Sequence, residues 1–326
     1  ESVRLGFLGE TIEVEVQPLL ARMVAQLEGA IRAADSPTNL PPTYFRHTLV
    51  IEPNEQAPST LAALRWESRE LPLFLEGVVR RMKVSEPAEV KALHARVMAS
   101  DLYDRALKML RVNASLAGEG HAIGRARAFT PGWLENQSIW THMAFKYLLE
   151  LQRAGLHAEF FDLLRAHLPA FMDPDRYGRS PLENSSFLAS SAHPDPALWG
   201  RGFVARLSGA TAEFLSMWVG MTSGQQPFCL REGALELRLQ PALPGWLFDP
   251  RGDFTFRFLD RCDITVHNPA RVDTWQPGVK VDQVRLETRE GEVIALAGGV
   301  IPAPYAVRTR DGEITRIALS ILEDSV

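Results

Sequence analysis

Trp133-Leu134-Glu135-Asn136-Gln137-Ser138-Ile139-Trp140-Thr141-His142, read with Arg206-Leu207-Ser208-Gly209-Ala210-Thr211, sets carboxylate, amide, imidazole and hydroxyl groups among large apolar residues. Each segment stands at or near the start of a helix-like pattern. Phe145, Leu148, Leu149 and Gln152 continue the first, and Val204, Leu207, Thr211, Phe214, Leu215 and Trp218 share one helical face in the second. A helix N-terminus presents unpaired N–H groups and a field that favours anions. An imidazole and a Ser-Gly turn beside such an end make a reasonable cradle for phosphate. Aromatic rings interleaved with carboxylates and amides suit sugars, which have apolar faces and hydroxyl edges. The two segments together point to a phosphate and a sugar.

Outward from this centre the chain changes character once. Leu20, Met23, Val24, Leu27 and Ile31 recur at helical spacing over about 12–33. Residues 42–50 are β-like, and helical patterns return at 70–83 and 87–110, the second carrying Val90, Leu93, Val97 and Leu102. Thr130-Pro131-Gly132 breaks the chain before the central segment. Gly155 is placed to cap the helix that follows, and Phe160, Phe161, Leu164 and Leu168 mark another that stops near Pro169. Residues 173–200, rich in Pro, Ser, Asp and Asn, read as a long ordered loop. After about 225 the period becomes 2: Phe254, Phe256 and Phe258, then Cys262, Ile264 and Val266, then Thr315, Ile317, Leu319 and Ile321 alternate with polar or small residues. Helices first and strands last predict an α+β multidomain chain, helical over 1–225 and a β-sandwich over 226–326.

Composition narrows the function class. The 326 residues suffice for about two domains, and 46% hydrophobic with 23% charged residues is ordinary for a globular protein. A net charge of -5 gives no footprint for nucleic acid or an anionic membrane. Cys229 and Cys262 are too few for a disulfide framework and lack partners at metal-site spacing, so a reducing cytoplasm is the expected compartment. No apolar run spans a membrane, and no signal-peptide pattern opens the chain. None of His47, His94, His121, His157, His167, His193 and His267 has metal-ligand spacing, and no metal is expected.

The order E-N-x-x-I-W-x-H (Glu135–His142), R-S-P-L-E-N (Arg179–Asn184) and L-S-G-A-T-A (Leu207–Ala212) resembles the C-terminal half of the inverting glycoside phosphorylases. These are the cellobiose and chitobiose phosphorylase type, glycoside hydrolase family ninety-four. That family carries E-N-G-G-I-F-x-H-like, E-P-Y-like and W-L-T-G-T-A-like segments, then a strand pair of the form L-x-I-x-P-x-I-P. Leu235–Pro244 is similar to the last, and Asp263–Pro269 to the strand after it. The resemblance covers roughly 125 to 275. It implies a partial (α/α)6 toroid of paired helices before the β-sandwich. The implied reaction is phosphorolysis of a β-linked di- or oligosaccharide to a sugar 1-phosphate. Inorganic phosphate would be the co-substrate and no other cofactor is implied. Family members often pair as dimers, so the expected partner is a second copy or the upstream half.

Residue by residue, the resemblance places His142, Ser208 and Gly209 on phosphate, with Ala210 replacing the second Thr of the family's T-G-T. Glu135 and Asn136 would hold sugar hydroxyls, or simply cap the following helix. Trp133 and Trp140 would stack a pyranose face, or serve as core aromatics. Glu183 matches the family's Glu on this loop, although Asn184 replaces the Pro that follows. Arg125 and Arg127, if extended, would lie on one side, facing an anion or solvent.

The family's general acid is an Asp in a G-D-W-N-D-like motif, and no Asp-Trp pair occurs in this chain. Glu1-Ser2-Val3 resembles the G-E-S-V-W-L that follows this motif in many members, so the acid is expected upstream of Glu1. Phosphate attacks without a general base. An inverting hydrolase would instead need a second carboxylate, roughly 6.5–9.5 Å from the first. That hydrolase, and a non-catalytic carbohydrate-binding or assembly subunit, are the alternatives.

Overall fold

The computed structural model describes residues 15–34, 40–53, 61–205 and 209–323, with Ser208 outside them. The chain divides into a unit of Glu1–Leu71 and a unit of Pro72–Val326. Among the described residues it is a mixed α and β protein with eight α-helices and several small sheets. No described helix is long and apolar enough to cross a membrane.

In the first unit, helix α1 (Val16–Ala34) presents Leu20, Val24, Leu27 and Ile31 at the spacing read from the sequence, and all four are exposed. Strands β1 (Phe45–Pro53) and β2 (Leu61–Glu70) form an antiparallel hairpin.

The second unit opens with α2 (Leu75–Met82) and α3 (Pro87–Ala99). Pro87 is the first helical residue of α3, where its missing N–H costs nothing. The helix expected to reach 110 stops at Ala99: Ser100 turns extended, its hydroxyl donating to the Val97 carbonyl and accepting from the Leu102 N–H. The rest of that pattern is a hairpin of β3 (Tyr103–Asp104) and β4 (Met109–Leu110). Asp104 holds the turn between them, residues 105–108, by accepting from the Ala106 and Leu107 N–H groups, each at 3.1 Å. Leu102, Leu107 and Leu110 are buried there without being helical.

Strand β5 (Ile139–Trp140) leads directly into α4 (Thr141–Arg153), which buries Ala144, Phe145, Leu148 and Leu151. Gly155, at φ +74°, ends it. The Leu156 N–H reaches the Leu151 carbonyl and the Gly155 N–H the Gln152 carbonyl, so the left-handed glycine satisfies two otherwise orphaned acceptors. Helix α5 (His157–His167) follows and stops before Pro169. The expected loop over 173–200 contains the short α6 (Pro174–Tyr177) and β6 (Ser185–Leu188). Polar composition hid a strand whose residues are mostly buried. Strand β7 (Gly202–Ala205) precedes α7 (Gly209–Thr222). Val204, expected on the helix, lies in that strand, and Leu207 falls outside the described residues.

Strands β8 (Phe228–Arg231) and β9 (Ala234–Arg238) make a hairpin. Strands β10 (Asp253–Phe258), β11 (Cys262–His267), β12 (Val279–Thr288) and β13 (Val293–Ala297) follow, then β14 (Val300–Ile301) and, after α8 (Ala303–Asp311), β15 (Ile314–Glu323). They form a five-stranded sheet in the order β10-β11-β15-β12-β13 and a three-stranded sheet β14-β9-β8. Phe256, Ile264, Val266, Ile317 and Leu319 are buried, as the two-residue period requires. Helix α8 carries no strong apolar stripe and was not visible in the alternation.

One buried imidazole makes this unit acid-sensitive. His167 Nε2 accepts from the Leu110 N–H at 2.9 Å, so the ring must be neutral with its proton on Nδ1, which donates to the Leu163 carbonyl at 2.8 Å. Complete burial pulls its pKa down to about 4. The unfolded state, titrating near 6.5, binds the proton first. Stability should therefore be complete above that pH and fall between 6.5 and about 4, by on the order of 3 kcal/mol. Urea unfolding from pH 7 to pH 4.5 checks this, and His167→Gln should flatten the dependence.

Candidate active site at two helix starts

The three-stranded sheet β5-β6-β7 explains how residues 142 and 209 meet. Strands β5 and β7 each pair antiparallel with the central β6, so they run parallel to one another. Two strand spacings of about 4.8 Å set them roughly 10 Å apart, close to the distance at which helices pack. Helix α4 leaves β5 at once and α7 begins shortly after β7, so the two helices run side by side from adjacent N-termini. Thr141, the first residue of α4, fixes this end by donating its hydroxyl to the Ser185 carbonyl of β6.

His142 lies directly over Gly209. A Cβ built on Gly209 would overlap Cε1 and Nε2 of the imidazole. Gly209 is thus a notch that admits the ring, and its φ is not left-handed, so close approach is what requires the glycine. His142 Nε2 is 3.8 Å from Glu213 Oε1, one turn into α7. Desolvation, reinforced by Lys146 on the next turn of α4, lowers the imidazole pKa. Glu213 and Glu76 of α2 oppose the shift. A mainly neutral ring at pH 7 can donate one N–H to an anion. Glu213 was not visible in the sequence because its role depends on packing between two helices distant in the chain; its spacing of one turn from Gly209 hinted at a shared face.

The turn before β5 is held rigidly. Asn113 donates to the Glu135 carbonyl and accepts from the Gln137 N–H, both at 2.6 Å. Leu134 and Gln137 sit at φ +47° and +61°, conformations that non-glycine residues hold only where their surroundings enforce them. Asn136 donates its amide to the Phe129 carbonyl at 2.8 Å, leaving its Oδ1 buried with no partner among the described residues. Glu135 accepts from Arg125 at 2.7 Å through Oε1, while its Oε2 is likewise buried and unpartnered. Both are polar atoms placed at a cost that a ligand hydroxyl would offset.

Arg125 and Arg127 are not extended: residues 125–128 form a 3-10 turn. Arg125 reaches Glu135, and Arg127 donates to the Glu119 and Ala117 carbonyls. Trp133 packs edge-on against Phe187 and Phe203, at 5.2 and 4.4 Å between ring centroids, and Trp140 stacks on Phe187 at 5.9 Å. The Trp140 indole N–H donates to the Leu134 carbonyl at 2.8 Å. Both indoles therefore pack the sheet that positions the site. Glu183 pairs with Arg179 at 3.1 Å on the loop before β6, and its carbonyl accepts from the Tyr177 hydroxyl at 2.6 Å.

Asp104, which sequence reading missed, anchors this frame from outside. Its fully buried carboxylate accepts from the Ser191 N–H at 2.7 Å, the Ser191 hydroxyl at 2.8 Å and Arg111 at 3.2 Å. Ser191 is only three residues past β6, so this network ties the β3–β4 hairpin to the sheet behind the site. No group of His, Cys, Asp and Glu among the described residues is arranged to hold a metal. No protein-family model matches this chain, and no curated protein matches it.

Proposed function

We propose that the chain is part of a glycoside phosphorylase-like protein, in which His142 and Gly209, with Ser208, receive inorganic phosphate. The observation that carries this reading is the contact between the His142 ring and Gly209 at two adjacent helix starts. The first N–H groups of both helices favour an anion there. The unpartnered oxygens of Glu135 and Asn136 support sugar recognition in the preceding turn. The architecture proposed with this function is a partial (α/α)6 toroid over 1–225 and a β-sandwich over 226–326. In phosphorolysis the acid protonates the glycosidic oxygen as phosphate attacks the anomeric carbon. The products are a sugar 1-phosphate and the released sugar.

Glu213 favours a second reading. A carboxylate 3.8 Å from His142 repels a phosphate dianion, and the same group could take a proton from water, as an inverting hydrolase requires. Assays of the full-length protein on β-linked disaccharides separate the two readings. Phosphorylase action predicts sugar 1-phosphate formed only with phosphate, and Glu213→Gln should tighten phosphate binding several-fold. Hydrolase action predicts phosphate-independent sugar release, which Glu213→Gln should reduce at least about 10²-fold. Saturable sugar binding without turnover would leave a binding or assembly subunit.

A further inference from the structure

At the other end of the same helix pair, roughly 15 Å along α4 from His142, lies an open cleft of about 960 Å³. Its walls come from the ends of α4 and α7, the start of α5, and strands β9, β12 and β15. A second depression of about 480 Å³ shares Gln152, Arg153, Gln225 and Gln226 with it and continues along α7 past Leu215 and Val219. Together they form an elongated groove, of which the larger part alone is the size of a ligand site.

The chemistry of the groove is one-sided. Arg153, Arg238 and Lys280 line it, beside a His157 ring that burial keeps neutral, and none of its described lining residues is Asp or Glu, although the whole chain carries a net charge of -5. Arg153 and Arg238 are steadied by Glu150 and Glu236, at 2.8 and 2.7 Å, which lie outside the lining. Each guanidinium has five N–H donors, so one carboxylate does not exhaust it. The uncapped N-terminus of α5 opens at His157 and adds to the positive field.

Four glutamines, Gln152, Gln225, Gln226 and Gln240, supply paired donors and acceptors. Gln152 is 2% exposed, donates its amide to the Met217 carbonyl at 3.0 Å, and leaves Oε1 buried without a partner among the described residues. His157 Nδ1 is in the same position, its ring 5.4 Å from that of Trp275. Unpaired buried acceptors call for a ligand that brings hydroxyl donors, and the cations call for one that brings negative charge.

We propose that this groove binds an acidic saccharide, carrying either carboxylate or phosphate, at a site separate from His142. The test is calorimetric titration of the full chain with a uronic-acid pentasaccharide, a pentasaccharide phosphorylated at a sugar 6-hydroxyl and a neutral pentasaccharide. The expected result is saturable 1:1 binding of an acidic saccharide, at least tenfold weaker in Arg238→Gln/Lys280→Gln and unchanged in Gly209→Ala. The uronate and phosphate arms identify which acid is taken. Gln226→Trp, which fills the groove without removing a charge, should block binding as well and serves if the double variant fails to fold. Absence of saturable binding by either acidic saccharide, equal binding of the neutral one, or affinity unchanged in Gln226→Trp would overturn the proposal. Retention in Gly209→Ala keeps the outcome independent of the phosphorylase reading; loss there would place the acidic ligand at His142 instead.

Discussion

Gly209→Ala is expected to weaken inorganic phosphate binding, and any phosphorolysis that depends on it, by about 10²-fold. The added Cβ would occupy the space of the His142 ring, so the imidazole must rotate out of the notch or α7 must withdraw from α4. Either movement displaces the proposed donor by about an ångström or more, and displacements of that size cost about this much where groups must be aligned. Folding should not suffer in step. Replacing glycine by alanine restricts the unfolded chain, which offsets part of the crowding by up to about 1 kcal/mol. Thr211→Ala, on an exposed position of the same turn, is the control and should leave affinity unchanged. Equal losses of stability and affinity in Gly209→Ala would instead mark the glycine as a packing notch alone.

Asp104→Ala should have the largest effect on stability, about 3–5 kcal/mol. The carboxylate is fully buried and receives three backbone N–H groups, one hydroxyl and one guanidinium. Its removal leaves the mostly buried Arg111 charge facing, among the described residues, the Ser191 hydroxyl, and leaves the N–H groups of Ala106, Leu107 and Ser191 unpaired. Asp104→Asn should cost less but still substantially, since it removes the charge and turns an amide NH2 toward donors. Chemical denaturation gives the free energies, with a fall in melting temperature of about 10 °C as the companion reading. Because Ser191 follows β6, the variant should also loosen Trp133 and its neighbours, measurable as a red shift of tryptophan emission before global unfolding.

These two residues show what the sequence could and could not disclose. His142 and Gly209 stand out locally because each opens a helical pattern and carries a chemically pointed neighbour. Their contact, however, depends on β6 lying between β5 and β7, and β6 hides in a stretch of Ser, Pro and Asn. Asp104 reads locally as one polar residue inside an apolar helical stripe; the partner that explains it, Ser191, is 87 positions away. The helical pattern expected over 87–110 ends at Ala99 because the turns made by Ser100 and Asp104 override it, and Leu102, Leu107 and Leu110 are buried without being helical. The two-residue alternation after 225 was legible because β10, β11 and β15 each bury one face. The groove was not, since its lining comes from the ends of elements, where neither period speaks.

The most direct measurement of the central claim is the His142 imidazole resonance under titration with inorganic phosphate, followed by two-dimensional NMR with His142→Gln to assign it. A phosphate site there predicts a saturable shift of that resonance, absent in Gly209→Ala, and burial predicts a pH midpoint below 6.5 in the free protein. A His142 resonance that ignores phosphate while remaining folded over Gly209 would contradict a phosphate site at these helix starts.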